Sequence, residues 1–295
     1  MTATAHQASP AGPKRTLSAL VRSAMSADTA TPFASLTCYD ATTARWLARA
    51  GVQCLLVGDT AAEMVLGYPR TIDMPLDVLI ALTAGVKRGS EQGGGTVVMG
   101  DMPFMSYQAS PDNAVRNAGR FLTAGLADIV KLEVDSTLAP LVDRMVRAGV
   151  PICAHVGSRP QRVAITGYSA AGRTASEAER IVADARAMQD AGCSMLLVEA
   201  VPEAVTARIM DIAKVPVIGI GAGSACHGQV LVLQDLLGLT DTAPAFAEPV
   251  AALGQAIKSA GEKWVAKVAA RQVGPSPYRM RDAAPPKARS GHEQA

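Results

Sequence analysis

The sequence predicts a (β/α)8 barrel, and two features carry this prediction. The first is that eight short β-rich runs alternate with helical patterns along the 295-residue chain. The second is that five of these runs end in an acidic residue, at Asp40, Asp59, Asp101, Glu133 and Asp235, and that a sixth has Glu199 one position before its end. The carboxyl ends of barrel strands surround one mouth, whereas the alternative, a doubly wound open sheet, needs ligand groups from only the few strands at its crevice. Acidic ends on most strands therefore favour the barrel.

The eight runs are, in chain order, ASLTCYD, CLLVGD, TVVMGD, IVKLE, PICAHV, MLLVEA, PVIGIGA and QVLVLQD. A glycine that follows alanine and precedes an apolar residue recurs just before four of the strands, at Gly51, Gly125, Gly149 and Gly192. A glycine at this place is typical of the left-handed residue that ends a helix. The repeat therefore predicts that a helix ends immediately before each of these strands.

Helix starts are also marked, and so are the ends of the domain. Residues 110–112, Ser-Pro-Asp, combine an N-cap, a proline in the first turn and an early acid, and Ser176 with Glu179 predicts a capping box. We expect residues 16–271 to form one barrel domain. Residues 1–15 and 272–295 are rich in Pro, Ala and polar residues, so we expect tails that are mobile or lie over a neighbouring subunit.

Composition excludes several classes of function. The chain has 28 basic and 26 acidic residues and is only 4% aromatic, so we expect no nucleic-acid partner. Its five cysteines are odd in number and form no C-x-x-C pair, which favours reduced thiols in a cytoplasmic protein. No apolar run reaches the length of a membrane span, and the N-terminus lacks the apolar segment of a secretory signal. We therefore expect no membrane partner.

The glycine-rich stretch GIGAGS, residues 219–224, resembles a dinucleotide-binding fingerprint only superficially. Ser224 stands where the third glycine is required, and no acidic residue ends a following strand at the expected distance. We interpret the stretch as a tight turn at the barrel mouth.

Three of the strand-end acids, Asp59, Asp101 and Glu133, form a candidate site for a divalent cation. Carboxylates from separate strands that leave room for water suit Mg²⁺, whereas zinc is disfavoured because no set of histidines and cysteines is clustered. Each acid taken alone is equally consistent with a helix N-cap or a loop position. The pattern by itself leaves both interpretations open.

Three further side chains are candidates for the chemistry of this mouth. Lys131 lies two residues before Glu133 and shares its strand face, where its ammonium group would balance the carboxylates and bind an anionic substrate. His155 and Glu199 end apolar strands, and an apolar setting raises the pKa of a carboxyl group. The structural alternatives are an ion pair for Lys131 and a core position for His155. His227 is expected on the surface.

The motifs VGDT, GDMPFMSY, VKLE, CAHVGSRPQ, LLVEAVP and PVIGIGAG, followed by HGQVLVLQD, together resemble those of ketopantoate hydroxymethyltransferases, in the same order. The resemblance extends from about Leu17 to about Lys267. It implies a barrel of the phosphoenolpyruvate/pyruvate superfamily type and a homo-oligomer, usually a decamer. It also implies Mg²⁺ and 5,10-methylenetetrahydrofolate, used to convert 3-methyl-2-oxobutanoate into 2-dehydropantoate for pantothenate synthesis.

The resemblance also implies a role for individual residues. The magnesium site of the family corresponds to Asp59, Asp101 and Glu133. Its oxo-acid contacts correspond to Asp59, Thr60, Asp101 and Lys131. Glu199 corresponds to the proton acceptor, and His155 to a histidine beside the substrate; His155 and Lys131 would donate to the substrate oxygens during catalysis.

Several positions depart from the family pattern. Thr60 replaces a serine, residues 134–135 (Val-Asp) replace two glycines, and Arg159 stands where threonine is common. His227 and Gln234 replace a usual aspartate and histidine. These changes keep two alternatives open: an aldol or retro-aldol lyase acting on another 2-oxo acid, and an inactive paralogue that only binds. Arg159 suggests a pocket for dicarboxylic oxo acids, unless it belongs to a surface loop that has drifted.

Overall fold

A computed structural model describes residues 15–26, 31–162 and 169–278 of the chain. It contains eight parallel strands that form a closed barrel in the order of the sequence. The strands are β1 Phe33–Thr37, β2 Cys54–Val57, β3 Val97–Asp101, β4 Ile129–Glu133, β5 Ile152–Gly157, β6 Met195–Glu199, β7 Val217–Ile220 and β8 Gly228–Leu231. Each lies within one of the eight predicted runs or overlaps it, and the predicted (β/α)8 barrel is confirmed.

The described α-helices, numbered in chain order, are α1 Leu17–Ala24, α2 Ala41–Ala50, α3 Ala61–Met64, α4 Leu76–Glu91, α5 Pro111–Thr123, α6 Ala139–Arg147, α7 Ala175–Asp190, α8 Glu203–Met210, α9 Leu233–Leu236 and α10 Leu253–Ala269. Short 3-10 turns occupy Thr71–Asp73, Ser136–Leu138 and Pro160–Arg162. None of the described helices is both long enough and apolar enough to cross a bilayer.

The predicted helix starts are correct for α5 and shifted for α7. Ser110 caps α5, and its side chain accepts a hydrogen bond from the Asn113 amide. The capping box of α7 is formed by Thr174 and Glu177, two residues before the predicted pair. Both pairs fit the same sequence pattern, so the backbone turn at residue 174 decides which of them caps the helix.

The predicted left-handed glycines are found at Gly51, Gly149 and Gly192, with φ between 88° and 95°. Gly125 is an exception, because the left-handed residue there is Leu126, at φ 58°. A Cβ at Gly125 would lie 2.6 Å from the carbonyl oxygen of Phe121. This glycine therefore permits a close approach of two backbone segments rather than a left-handed turn.

The barrel interior is filled by alternate residues of the strands. One buried cluster contains Val97 and Met99 of β3, Ile129 of β4, Cys153 of β5 and Met195 of β6, with α1 packed against it. Because strand side chains alternate between faces, the residues two positions further along these strands also point inward. Those positions are Asp101, Lys131, His155, and, two residues beyond Leu197, Glu199. The strand pattern thus aims four polar side chains into one end of the barrel.

Strand register brings these side chains to the same height. Asp101 of β3 pairs with Lys131 of β4, and Glu133 of β4 pairs with His155 of β5. Gly157 of β5 pairs with Glu199 of β6. Gly157 is left-handed, and a Cβ at this position would lie only 2.6 Å from the Glu199 carbonyl oxygen. Side-chain bulk is excluded there, so β6 can end close to β5.

Residues Met1–Ala251 and Ala252–Ala295 form two compact units. The second contains α10, whose residues are nearly all exposed. The single domain boundary predicted at residue 271 stays a prediction. The predicted tails fall largely on residues 1–14 and 279–295, outside the described ranges. The five cysteines are free and buried, as expected for reduced thiols.

Candidate active site

A cavity of about 460 Å³ opens at the carboxyl ends of the barrel strands. The site residues predicted from the sequence all line it: Asp59, Thr60, Asp101, Lys131, Glu133, His155 and Glu199. The other side of the cavity is apolar and includes Leu197, Ile220, Val230, Val232 and Phe246. One part of the cavity is therefore suited to charged or polar groups of a ligand, and the other to a hydrocarbon group.

Lys131 lies among the carboxyl groups of Asp59, Asp101, Glu133 and Glu199, and the acids Glu63 and Asp235 also line the cavity. The Lys131 ammonium Nζ lies 2.7 Å from Asp101 Oδ2, which also accepts a hydrogen bond of 3.2 Å from the Asp59 amide. The Lys131 and Asp101 side chains are both almost fully buried. Since buried charges must be compensated, the carboxyl groups beyond the one paired with Lys131 need protons or a cation.

The pKa shifts follow from this excess of carboxyl groups. Burial, and then the charge of Asp101, raise the pKa of Asp59 to about 7. Burial also raises the pKa of Glu133 well above its usual value, although Lys131 acts in the opposite direction. Burial alone would lower the pKa of Lys131, but the surrounding carboxylates outweigh it and raise that pKa. Lys131 therefore remains charged at neutral pH.

His155 lies between two of the acids. Its Nε2 is 3.5 Å from Glu199 Oε2, and its Nδ1 is 3.9 Å from Glu133 Oε1. The ring is fully buried, and neither nitrogen has a hydrogen-bond partner within the described part of the chain. Burial, followed by the charge of Lys131, lowers the pKa of His155 well below its usual value. The imidazole is therefore neutral and has one N–H available to donate.

Glu199 combines a raised pKa with access to the cavity. Burial raises the pKa of its carboxyl group to about 7, while 23% of the side chain remains exposed. The next residue, Ala200, is held at φ 47°, and its amide donates to the Ile220 carbonyl at 2.8 Å. A non-glycine residue in this region is strained, and such strain is concentrated at functional sites. A carboxyl group with this pKa is suited to taking up a proton near neutral pH.

The described side chains of the site are better arranged to bind Mg²⁺ through two carboxylates than through three. In the described residues, no group of three or more His, Cys, Asp and Glu side chains is arranged to hold a metal ion. However, Asp101 Oδ1 and Glu133 Oε1 are buried without a hydrogen-bond partner. Mg²⁺ characteristically takes one or two carboxylates and completes its shell with water and substrate oxygens. The donor set and the unpartnered oxygens therefore fit Mg²⁺.

Gln161 is part of this site and was missed by the sequence analysis, which quoted it only within the motif CAHVGSRPQ. It lies in a 3-10 turn after β5 and is almost fully buried. Its side-chain Nε2 lies 2.9 Å from Asp59 Oδ2, and its backbone amide lies 2.9 Å from Glu133 Oε2. Turn residues have no periodicity, so the signal that could have found Gln161 was the motif alone.

Comparison with known proteins shows the family of this chain. The family model described as ketopantoate hydroxymethyltransferase matches residues 16–275. The chain belongs to this family. A 3-methyl-2-oxobutanoate hydroxymethyltransferase of Pyrobaculum aerophilum is 41% identical over 238 residues, which cover 80% of this chain and 89% of the relative. One of Syntrophobacter fumaroxidans is 43% identical over 231 residues, covering 78% and 81% of the two chains.

Solved structures resemble the fold at low sequence identity. An oxaloacetate acetylhydrolase in complex with 3,3-difluorooxalacetate has a TM-score of 0.56 and 14% identity, covering 90% of this chain and all of its own. A 2,3-dimethylmalate lyase of the PEP mutase/isocitrate lyase superfamily has a TM-score of 0.54 and 19% identity, covering 86% and 87%. These similarities support the barrel fold predicted for this chain.

Three polar residues singled out in the sequence have other roles than a strand end or a surface position. Asp40 is exposed and caps α2 by accepting a hydrogen bond from the Thr43 amide. Asp235 lies within α9 and lines the cavity, where its Oδ1 accepts from the Thr240 hydroxyl. His227 is half-buried rather than at the surface, and its Nδ1 accepts from the Val217 amide. His227 thus joins β7 to the turn that precedes β8.

Two departures from the family pattern, Asp135 and Arg159, pair with each other. Arg159 Nη1 lies 2.6 Å from Asp135 Oδ2. Both line a neighbouring cavity of about 520 Å³ rather than the one that holds the polar cluster. Because its charge is already paired, Arg159 is poorly placed to bind a second carboxylate of a substrate. The arrangement favours the interpretation that these residues belong to loops that have drifted.

Arg159→Thr is therefore expected to have small and equal effects on mono- and dicarboxylic 2-oxo acids. The lost ion pair is partly solvated, so the free energy of unfolding should fall by only about 1 kcal/mol. The measurement is kcat/KM for a panel of both acid types, together with a denaturant titration. A loss confined to dicarboxylic acids would instead show that Arg159 contacts the substrate.

Proposed function

We propose that this protein transfers a hydroxymethyl group from 5,10-methylenetetrahydrofolate to 3-methyl-2-oxobutanoate and so forms 2-dehydropantoate. The observation that carries the proposal is a single cavity in which Lys131, His155 and Glu199 meet the acids Asp59 and Asp101. Family membership supports the same reaction, because the relatives are named for it. The same proposal places the protein in pantothenate synthesis.

In the proposed reaction, the substrate carboxylate and oxo group face the polar side of the cavity. Lys131 donates to these oxygens, and the Thr60 hydroxyl is a further donor. The branched alkyl group of the substrate contacts the apolar side, which includes Leu197 and Ile220. A 2-oxo acid with a short branched chain would satisfy both sides of the cavity.

Glu199 is the proposed general base that removes the proton from C3 of the oxo acid. Its pKa of about 7 lets a carboxylate accept a proton near neutral pH and hold it. The neutral His155 donates its N–H towards the oxygen that gains charge as the proton leaves. The methylene carbon of the folate is bonded to two nitrogens. One carbon–nitrogen bond breaks as C3 bonds to this carbon, and the other breaks as water supplies the hydroxyl group. The proton taken from C3 and the proton released by water end on the two folate nitrogens.

Asp59, Asp101 and Glu133 are the proposed acids of the Mg²⁺ site, and Asp101 Oδ1 and Glu133 Oε1 are buried without a hydrogen-bond partner among the described residues. When bound, Mg²⁺ would polarise the oxo group and stabilise the negative charge of the enolate. Its double positive charge would also compensate the negative charge of the buried carboxylates. The folate contacts, a homo-oligomer such as a decamer, and a cytoplasmic location stay predictions.

The decisive experiment is an assay of the purified protein with Mg²⁺, 5,10-methylenetetrahydrofolate and a panel of 2-oxo acids. Folate-dependent formation of 2-dehydropantoate from 3-methyl-2-oxobutanoate is the expected result. Cleavage of a larger oxo acid without folate would instead support a lyase. Binding without turnover for every acid would support an inactive binding paralogue.

Asp101→Asn is expected to weaken the binding of Mg²⁺ more than it changes folding. The amide keeps the shape of the side chain but loses the charge, so the Mg²⁺ concentration for half-maximal activity should rise by at least about tenfold. This concentration is obtained from Mg²⁺ titrations of activity, and unfolding curves report stability.

Asp128→Asn is the matched control, because Asp128 Oδ2 also accepts from a lysine, Lys87, and from a backbone amide, that of Val98. It does not line the cavity. We expect this variant to lose stability with an unchanged Mg²⁺ requirement. Equal Mg²⁺ curves for Asp101→Asn and Asp128→Asn would remove Asp101 from the proposed metal site.

A further inference from the structure

We propose that Gln161 is a positioning residue that holds Asp59 and Glu133 in place for the cation and the substrate. The inference rests on the proposed function, because it concerns the same cavity. It goes beyond that function because it states which residue, a neutral glutamine, holds the acids in their positions. Gln161 itself contributes no charge to the site.

Both polar atoms of the Gln161 side chain and its backbone amide have partners. Its side-chain nitrogen Nε2 lies 2.9 Å from Asp59 Oδ2 and 2.9 Å from the Met102 carbonyl oxygen. Its Oε1 lies 2.8 Å from the Tyr107 hydroxyl and 3.3 Å from Gln108 Nε2. Its backbone amide donates to Glu133 Oε2 at 2.9 Å. One residue thereby connects the acids that follow β2 and end β4 with the loop after β3.

These partners fix the orientation of the amide. The Met102 carbonyl is only an acceptor, so the group facing it must be the NH₂ of Gln161. The second hydrogen of that NH₂ then points at Asp59 Oδ2. Gln108 Nε2 donates to Oε1, and the Tyr107 hydroxyl shares its one hydrogen between Oε1 and the Glu133 carbonyl. If the amide were reversed, Oε1 would face the Met102 carbonyl oxygen and Asp59 Oδ2, which repel it. Asp59 therefore receives a directed hydrogen bond whose donor cannot rotate away.

The consequence for the two acids is geometric. The side-chain amide of Gln161 holds Asp59 Oδ2, and its backbone amide holds Glu133 Oε2. Glu133 Oε1 remains buried and unpartnered among the described residues. Gln161 thus fixes one oxygen of each acid and, at Glu133, leaves the other for a ligand.

The residue type suits this role. A lysine at position 161 would compete with the cation for the acids, and a glutamate would add a further buried carboxylate beside Asp59. A glutamine donates hydrogen bonds without changing the charge of the cavity. Partners of this kind orient the ligands of a metal, and their loss typically costs about 10–100-fold in metal affinity or activity.

The alternative is that Gln161 only ties two loops together, and one variant pair separates the two roles. Gln161→Met keeps the length of the side chain but removes its donors. Gln189→Met is the matched control, because Gln189 also joins two segments: its Nε2 bonds to the Ala185 carbonyl and its Oε1 to the Lys214 amide. Neither glutamine is among the residues that line the cavity, but Gln161 bonds to two acids that do, whereas Gln189 bonds within its own helix, α7, and to the segment before β7. Both variants lose a side-chain hydrogen bond between separate segments.

The experiment measures Mg²⁺ binding by titration calorimetry with 3-methyl-2-oxobutanoate present and folate absent, so that no turnover occurs. Gln161→Met is expected to bind Mg²⁺ about 10–100-fold more weakly than the unchanged protein, and Gln189→Met is expected to bind it normally. Activity of Gln161→Met should recover partly at high Mg²⁺, which a purely structural defect would not allow. Thermal unfolding of both variants reports their folding.

A smaller shift in the same direction is expected for Tyr107→Phe, which removes one donor to Gln161 Oε1. Normal Mg²⁺ affinity in Gln161→Met, or equal losses in Gln161→Met and Gln189→Met, would overturn the inference. A protein that shows the Gln161 effect but forms no 2-dehydropantoate would retain the inference and refute the proposed reaction. An active protein with a normal Gln161→Met variant would do the reverse.

Discussion

Glu199→Gln is expected to slow the exchange of the C3 proton of 3-methyl-2-oxobutanoate with solvent deuterium by about 10²–10⁴-fold, the usual contribution of a general base. An amide cannot accept this proton, while the size and shape of the side chain are retained. Binding of Mg²⁺ and of the oxo acid should change little, because Lys131 and the acids of β2 to β4 are untouched. Proton NMR of the oxo acid in D₂O measures the exchange without folate.

The pH dependence provides a second test of the same residue. Only the deprotonated carboxylate can act as base, so exchange by the unchanged protein should rise with pH up to about 7 and then level off. Glu203→Gln is the control, since Glu203 is an exposed acid at the start of α8 that does not line the cavity. Full exchange in Glu199→Gln, with the same pH profile, would assign the base to another residue.

The strand pattern was sufficient to predict most of the polar cluster, for a physical reason. Side chains on a strand alternate, and the strands of a closed parallel barrel end at one mouth. The inward direction of Asp101, Lys131 and Glu133 follows from these two facts alone. The place of Glu199 at the end of an apolar run was sufficient to predict that it belongs to the cluster. Their common cavity is thus encoded locally, strand by strand.

Other features depend on contacts between segments that no local pattern contains. Gln161 reaches Asp59 across 102 positions of sequence, and the donor and acceptor set that orients it comes from a different loop. Asp235 looks like a strand-end acid in QVLVLQD but lies in the short helix α9. The sequence left two interpretations of Arg159 open, and its pairing with Asp135 joins two loops that no local pattern connects. These are tertiary interactions, which periodicity cannot predict.

Lys131→Met is expected to have the largest combined effect on binding and stability. Removal of one partner of a buried ion pair typically costs about 3–5 kcal/mol in the free energy of unfolding, because Asp101 keeps its charge without compensation. Affinity for 3-methyl-2-oxobutanoate should fall by about 30-fold or more, since losing a buried charged partner costs about 2–5 kcal/mol of binding. Chemical denaturation and calorimetric titration measure the two losses.

Lys87→Met is the matched control for this substitution. Lys87 Nζ lies 2.6 Å from Asp128 Oδ2, and the lysine is similarly buried, but it does not line the cavity. Lys87→Met should therefore lose stability and keep its affinity for the oxo acid. Equal oxo-acid affinities for Lys131→Met and the unchanged protein would contradict the role of Lys131 in substrate binding.

The stability of Lys131→Met should also fall more steeply with rising pH than that of the control, in which Lys131 still lowers the pKa of Asp59. Lys131 lowers the pKa of Asp59, so its loss raises that pKa above about 7 in the folded protein. A carboxyl group with a raised pKa binds more protons in the folded than in the unfolded state, so the variant should become less stable as pH rises through neutrality. Mg²⁺ should reverse part of this loss, because a cation held by Asp59 and Asp101 replaces the missing positive charge. A pH profile parallel to that of Lys87→Met, with no response to Mg²⁺, would show that the acids do not share one electrostatic site.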